Sequence, residues 1–160
     1  MEIHACENNL TEFRQVPPLL FDLLKDIAAA GGSTDPRVEG RLYPMPMDEA
    51  DDEGMNEDWS AFVQPDLQAG FQAARDVVQA DLRRASADGD FWTVEIPFSH
   101  TDAWLSALNQ ARLAIAEENG FGEKELAEEL SMETESPRDR ALLQMHFYGM
   151  IQEWFVRILN

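Results

Sequence analysis

Apolar residues recur along this chain with two different periods, which predict two kinds of secondary structure. Within residues 91–98 every second residue is apolar, namely Trp92, Val94, Ile96 and Phe98. This period of two is typical of a β-strand with one buried face. Residues 1–16 indicate two further strands joined at Asn8-Asn9, since asparagine tolerates the positive φ of a tight hairpin turn. We therefore expect a small antiparallel sheet of two to three strands, made of this hairpin and the strand 91–98.

Most of the remaining chain has the period of amphipathic helices. One helix is predicted over residues 17–30, where Gly31-Gly32 provides a C-terminal stop. A second is predicted from residue 101 to Gly120. The last begins at Ser136, an N-cap candidate followed by a proline and, at the third helical position, an acid. It is apolar almost all round, so we expect it to be central. The fold class is thus mainly α (α+β), a bundle of about four to six helices with the small sheet.

The middle of the chain is less regular. Asp35-Pro36 could open one short helical turn, and residues 44–55 are expected to form a mobile acidic loop. A helix start at 56–58 should carry Trp59, Phe62 and Val63 inward. Pro65 then opens a longer helix. Its predicted buried face is Leu67, Phe71, Ala74, Val78 and Leu82, with Asp76 and Asp81 elsewhere on the helix.

The composition excludes several classes of partner. The net charge is −19, from 31 acidic residues against 12 Lys and Arg. Proteins bind nucleic acids and anionic membranes mainly through lysine and arginine side chains. An acidic chain of this kind is therefore not expected to bind either. The single Cys6 cannot form an internal disulfide, which favours a reducing compartment. We find no leader and no apolar run of about 18 residues. The prediction is one cytoplasmic domain over residues 1–160.

One polar cluster is a candidate binding site. Asn109 and Arg112 continue a helical apolar series, so they lie on or beside an apolar face. His146 and Glu153 are two turns apart on the predicted last helix. Partly buried polar groups need partners, which an Arg112–Glu153 pair bridged by Asn109 or His146 would supply. The cluster could be a pocket with His146 or Glu153 as acid or base, but we favour a structural role, because buried polar networks commonly serve one.

Other candidate sites are weaker. The acidic stretch 48–54 could hold calcium, but it lacks the spacing of an EF-hand, so no metal is predicted. His100 beside Asp102 is better explained as helix capping than as a catalytic pair. The chain has no nucleophile elbow, no phosphate loop and no cofactor motif, and no cofactor is expected. Near the acidic stretch, Met45, Met47 and Met55 are the best candidates for a soft partner-binding edge.

Residues 103–115, AWLSALNQARLAI, resemble the signature of a bacterial family of domains of unknown function, the one numbered 2017. Trp104, Asn109 and Arg112 carry most of this resemblance, and the flanking helices are similar in placement. The resemblance implies a mainly helical cytoplasmic protein with no established activity and no established cofactor. It also covers two of the residues of the polar cluster.

Three functions remain open at this point. The first, which we favour, is a non-enzymatic interaction or regulatory domain that binds a protein partner. The second is an enzyme or anion-binding protein that uses the pocket around Arg112 and His146. In that protein Arg112 would clamp a carboxylate or phosphate and His146 would move a proton. The third is a structural subunit that forms a homodimer. A deep pocket beside Arg112 would favour the second, and a flat apolar patch near residues 45–55 the first or third.

Overall fold

The computed structural model describes residues 1–45, 53–129 and 131–160, and its strands form one antiparallel sheet. The strands are β1 (Glu2–Cys6), β2 (Leu10–Val16), β3 (Ser86–Asp88) and β4 (Phe91–Pro97). Their order across the sheet is β1-β2-β4-β3. The predicted hairpin and strand are therefore confirmed, and Asn9 has the expected positive φ of 58°. The strand β3 was missed, because residues 87–90 looked like turn alone.

The helices account for most of the chain, as predicted, and the fold is α+β. They are α1 (Pro18–Gly31), α2 (Pro36–Leu42), α3 (Glu53–Asp58), α4 (Gln64–Arg83), α5 (Thr101–Asn119), α6 (Glu123–Leu126) and α7 (Pro137–Leu159). A π-helical turn, Trp59–Val63, joins α3 to α4, and a 3-10 turn, Phe98–His100, precedes α5. The first, fifth and seventh helices lie within a residue or two of the predicted bounds.

The core lies between one face of the sheet and the helices. Phe13 of β2 is opposite Val94 of β4, and both are fully buried. They pack in one apolar cluster with the buried Trp104 and Leu108 of α5. Phe13 meets the Trp104 ring edge-on, with 5.7 Å between ring centroids. These contacts fix the sheet against α5.

The central helix is α5 rather than α7. It packs against α1, α2, α4 and α7. The expectation that α7 is central was wrong, because part of its apolar surface faces solvent: Met150, Val156 and Leu159 are about half exposed. The start of α7 does follow the prediction. Ser136 Oγ accepts from the Asp139 amide at 3.1 Å, and the Asp139 carboxylate accepts from the Ser136 amide at 3.2 Å.

The helical rod formed by α3, the π-helical turn and the first half of α4 projects from the core. Every residue from 61 to 70 is exposed except Gln64, which is half-buried. The predicted inward direction of Phe62, Val63 and Leu67 was therefore wrong. From Ala74 onward the helix is covered, and Val78 and Leu82 are buried as predicted. Pro65 lacks an N–H and cannot bond the carbonyl four residues earlier, which accounts for the wider turn before it.

The acidic segment falls mostly outside the described residues. Those residues exclude positions 46–52, so the predicted mobile loop at 44–55 and the calcium hypothesis for 48–54 concern mainly a stretch that is not described. The described part, from residue 53, belongs to α3. Across the described chain, no helix combines the length and the apolar character that crossing a bilayer requires.

Candidate functional site

Arg112 of α5 is half-buried and faces α7. Its Nη1 donates to Oε1 of Gln152 at 2.7 Å. A Cβ added at Gly149 would lie 3.5 Å from the guanidinium carbon, so the glycine leaves room for the arginine to lie flat on α7. The buried Nε of Arg112 has no hydrogen-bond partner among the described residues. Arg112 thus links two helices through a neutral acceptor.

The other three predicted residues have separate surroundings. Asn109 is exposed. Glu153 pairs with Arg157, 2.5 Å away on the same helix, and not with Arg112. His146 is half-buried beside a shallow depression of about 70 Å³ that it shares with Glu128 and Asp139. Within the described chain, no hydrogen bond or ion pair joins any two of the four residues. The expected Arg112–Glu153 pair is not formed, and the binding role of the four residues stays a prediction.

A second polar cluster lies where α4 meets the start of α5, around the fully buried Asp81. Its Oδ2 accepts from the indole Nε1 of Trp104 at 2.8 Å, and both of its oxygens lie 3.0 Å from Nδ1 of His100. Arg84 pairs with Oδ1. The carboxylate is therefore satisfied by three donors, which is what a buried charge requires.

The arrangement around Asp81 corrects two predictions. Asp81 was placed away from the buried face of its helix, yet it lies within the core. His100 was expected to act with Asp102 in capping the next helix, but it occupies the N-cap position without a side-chain cap and is bonded to Asp81 instead. Trp104 holds Asp81 from within the core, whereas His100 and Arg84 cover it from the solvent side, so the cluster closes the junction between two helices.

A third polar cluster surrounds Arg75 of α4, which is 9% exposed. Its Nη1 donates to Oε1 of Gln110 at 2.6 Å and to the Gly31 carbonyl at 3.3 Å. Its Nη2 donates to Oε1 of Gln72 at 2.7 Å. Gln110 is fully buried, and its amide nitrogen donates in turn to the Phe71 carbonyl and to Ser106. The cluster joins α1, α4 and α5 through neutral acceptors.

A cleft of about 360 Å³ opens beside Arg75. It is bounded by the Gly31-Gly32 end of α1, the Glu39 and Tyr43 side of α2, and Gln68 and Gln72 of α4. Burial raises the pKa of the Tyr43 hydroxyl, and the nearby charge of Arg75 opposes that shift. The cleft thus combines one buried cation with mostly neutral polar walls.

A fourth feature is the apolar side of the projecting rod. Trp59, Val63, Leu67 and Phe71 recur every four residues, which places them along one side of a helix. Val63 is 44% exposed and Leu67 38%, and the adjacent Phe62 is 73% exposed. We call residues 59, 62, 63 and 67 the rod face; Phe71, at its base, is half-buried and packs on Tyr43 with 5.5 Å between ring centroids. Met45 lies near it, with its sulfur 3.7 Å from Oγ of Ser60.

The comparisons with known proteins identify the family. A family model described as a domain of unknown function (DUF2017) matches residues 8–159, nearly the whole chain. The chain belongs to the DUF2017 family. Neither the curated proteins nor the solved structures contain a significant match to it. The resemblance carried by residues 103–115 is thereby confirmed, over a much longer stretch than the motif that suggested it.

Two polar clusters of this DUF2017 domain, those around Asp81 and Arg75, were not predicted from its sequence. Asp81 and Arg75 belong to an amphipathic helix, on which charged residues are expected to face solvent. Their residue types therefore did not indicate that they are buried. The residues that bury them lie far along the chain, Trp104 for Asp81 and Gln110 for Arg75. The one available signal was Gln110, a polar residue within the helical apolar series of α5, since such a residue needs a buried partner.

Proposed function

We propose that this DUF2017 domain is a non-enzymatic interaction domain whose rod face binds a segment of a partner protein. The partner segment has one apolar side and basic residues at its flanks. The observation that carries this proposal is the exposure of apolar side chains along the rod, above all Phe62 at 73%. Contiguous exposed apolar surface on a protein commonly marks an interaction site.

The geometry of the rod supports a helix-in-groove or helix-on-helix contact. Residues 61–70 lie almost entirely in solvent, so this part of α4 gains little from packing. A short isolated helix is only marginally stable in water. Apolar residues at four-residue spacing form a continuous strip, which is the pattern that a partner helix uses for anchoring. Burial of this strip by a partner would stabilise the rod.

The charge around the rod face favours a basic partner. Between Arg41 and Arg75 the sequence has no lysine or arginine and eight acidic residues: Asp48, Glu49, Asp51, Asp52, Glu53, Glu57, Asp58 and Asp66. A second copy of this chain would bring two such acidic stretches together, and each protomer has a net charge of −19. Opposite charges steer association and like charges oppose it. The basic partner is therefore favoured over a homodimer.

The alternative function, an anion-binding or acid–base site around Arg112 and His146, has less support. Arg112 donates to Gln152, whereas His146 borders a depression of about 70 Å³. Ligand pockets for small molecules are usually at least about 300 Å³. The depression beside His146 is therefore much smaller than a usual substrate pocket.

The test is a titration with a synthetic amphipathic helical peptide that has leucines on one side and lysines at its flanks. We expect saturable binding that weakens with added salt, because the flanking contacts are between exposed charges. Phe62→Ser should weaken binding about 10- to 100-fold, since burying a phenylalanine is worth about 1.5–3 kcal/mol. Fluorescence anisotropy of the labelled peptide measures both effects.

The matched control is Phe91→Ser, which removes a phenylalanine that is 48% exposed on β4, away from the rod. It should leave the affinity unchanged. No loss for Phe62→Ser would mean that the peptide binds through charge alone. Equal losses for both variants would mean that it binds exposed apolar surface without specificity, and the proposal fails in either case. Sedimentation of the protein without peptide tests the competing homodimer. A dimer that Phe62→Ser dissociates would assign the rod face to a second copy instead.

A further inference from the structure

Two charged side chains are buried in the described part of the chain, and they differ in whether an opposite charge lies beside them. Asp81 is fully buried and has a cationic partner in Arg84. Arg75 is 9% exposed, and none of the described carboxylates lies within ion-pair distance of it. Burying a charge without a counter-charge is costly. The protein therefore maintains a buried cation that only neutral oxygens solvate, despite its large excess of carboxylates.

The guanidinium keeps hydrogen-bonding capacity on its open side. An arginine has five N–H donors. Three of them are used by Gln110, Gln72 and the Gly31 carbonyl. Of the remaining donors, Nε lies 3.6 Å from the position that a Cβ at Gly32 would take. The Tyr43 hydroxyl interacts with the guanidinium, and an acceptor that enters the cleft would share or replace that contact.

The two glycines at the end of α1 allow this close approach. A Cβ at Gly31 would lie 3.1 Å from Cβ of Gln110 and 3.3 Å from Cδ of Arg75. A Cβ at Gly32 would lie 3.2 Å from the Ala28 carbonyl oxygen. Side chains at these positions would crowd the arginine and the mouth of the cleft. The glycine pair thus keeps both the guanidinium and the cleft accessible.

We propose that the cleft beside Arg75 binds a small zwitterion of the α-amino-acid class, with its carboxylate on Arg75 and its ammonium group near Glu39. Arg75 is a buried, rigidly held fork that suits a carboxylate. Among the described residues that border the cleft, Glu39 is the one with an acidic side chain. The cleft volume of about 360 Å³ is within the range of small-ligand pockets.

The net charge of the protein favours a zwitterion over an anionic ligand. A net charge of −19 repels a dianion such as phosphate, whereas a zwitterion carries no net charge. The neutral walls then provide polar contacts, since Gln68 and Thr34 both border the cleft. A zwitterion is therefore favoured over phosphate and over a simple carboxylate.

A purely structural role for Arg75 makes a different prediction. In that case Arg75 only satisfies the last carbonyls of α1, which basic side chains near a helix C-terminus commonly do. The arginine would then bind no solute. The site is separate from the rod face, so its test is independent of the proposed interaction.

The test is an NMR titration of the intact, isotopically labelled protein with each standard amino acid, with acetate and with inorganic phosphate. We expect at least one amino acid to shift the Arg75 Nε–H and Gly32 amide resonances in a saturable way. Acetate should bind more weakly, and phosphate should produce no saturable shift. Glu39→Gln should weaken the amino acid about threefold to tenfold, because the ammonium contact is lost, and it should not weaken acetate, which has no ammonium group.

Two matched variants separate the cleft from the rest of the surface. Gln68→Trp fills part of the cleft with a large side chain and should abolish the saturable shifts. Arg83→Trp places the same side chain at an exposed position of α4 that does not border the cleft, and it should have no effect. Both positions are exposed, so neither change should impair folding, which circular dichroism verifies. The proposal is overturned if no amino acid shifts these resonances, if the two variants act alike, or if acetate binds as tightly as the amino acid.

Discussion

The indole of Trp104 donates its Nε1 hydrogen to Oδ2 of Asp81 at 2.8 Å, and both side chains are fully buried. This bond crosses from α5 to α4 at the point where the sheet also meets α5. Trp104 also packs on Phe13 of the sheet, with the two rings nearly perpendicular. A single tryptophan thus connects the sheet, the central helix and the helix that continues into the rod.

Replacing Asp81 by alanine should lower the free energy of unfolding by about 1–3 kcal/mol, because the Trp104 N–H would remain buried without an acceptor. The control is Asp76→Ala on the same helix, where the carboxylate is exposed. That change should cost no more than about 0.5 kcal/mol. Urea denaturation measures both values. Equal effects of the two substitutions would contradict the role assigned to the buried carboxylate.

Tyr148 predicts a dependence of stability on alkaline pH. Burial raises the pKa of its hydroxyl above the usual 10.0, and the hydroxyl donates to the Leu23 carbonyl at 2.5 Å. Below pH 10 both the folded and the unfolded states hold this proton. Above pH 10 the unfolded state loses it first, so stability should fall as the pH rises.

The variant Tyr148→Phe isolates this effect. At neutral pH it should be less stable than the parent by about 0.5–1.5 kcal/mol, because one buried hydrogen bond is lost. It lacks the ionisation, so the difference between the two proteins should shrink as the pH rises above about 10. Denaturation at a series of pH values gives this difference directly. A constant difference up to about pH 11 would show that burial of Tyr148 does not control its proton.

Two helical glycines should respond to alanine with opposite signs. At Gly31 the added Cβ would lie 3.1 Å from Gln110, so Gly31→Ala should destabilise the protein by about 1–3 kcal/mol. At Gly70 nothing lies within 4 Å of the added Cβ. Gly70→Ala should therefore stabilise by about 0.5–1 kcal/mol, the usual gain of alanine over glycine in a helix. Thermal unfolding monitored by circular dichroism distinguishes the two, and equal shifts would argue against the crowding at Gly31.

Hydrogen exchange should divide α4 into two halves. Residues 64–70 have few buried neighbours, whereas residues 74–82 include the buried Ala74, Val78 and Leu82. Local opening requires little free energy where few apolar contacts are lost. Amides in the first half should therefore exchange much faster than those in the second, as measured by mass spectrometry. Uniform protection along α4 would mean that the rod is stabilised by contacts within the protein.

Much of the fold followed from local sequence patterns. The alternation at residues 91–98 predicted β4, and the order of Ser136, Pro137 and Asp139 predicted the start of α7. These signals are local because strand alternation, N-capping and the fixed φ of proline each depend on a few neighbouring residues. The bounds of α1 and α5 were predicted closely for the same reason.

The side-chain contacts of the candidate sites were predicted much less accurately from the sequence. The sequence predicted that Arg112 would need a partner, but the partner is Gln152 and not Glu153, one position further along α7. One residue on a helix corresponds to a rotation of about 100°. An error of a single position therefore exchanges a buried contact for an exposed one. Periodicity indicates which side of a helix is apolar, but not which side chain a given neighbour meets.

The sequence by itself determined the helices, the hairpin and the strand of this domain, together with its acidity and its family. Only the tertiary structure decided that Asp81 and Arg75 are buried and that Phe62 is exposed. Burial depends on whether another element covers a given surface. The elements that cover Asp81 and Arg75 come from distant parts of the chain, whereas the described elements leave residues 61–70 almost entirely exposed. An apolar residue on a helix is buried only where a neighbour packs against it, and that neighbour is a property of the whole fold.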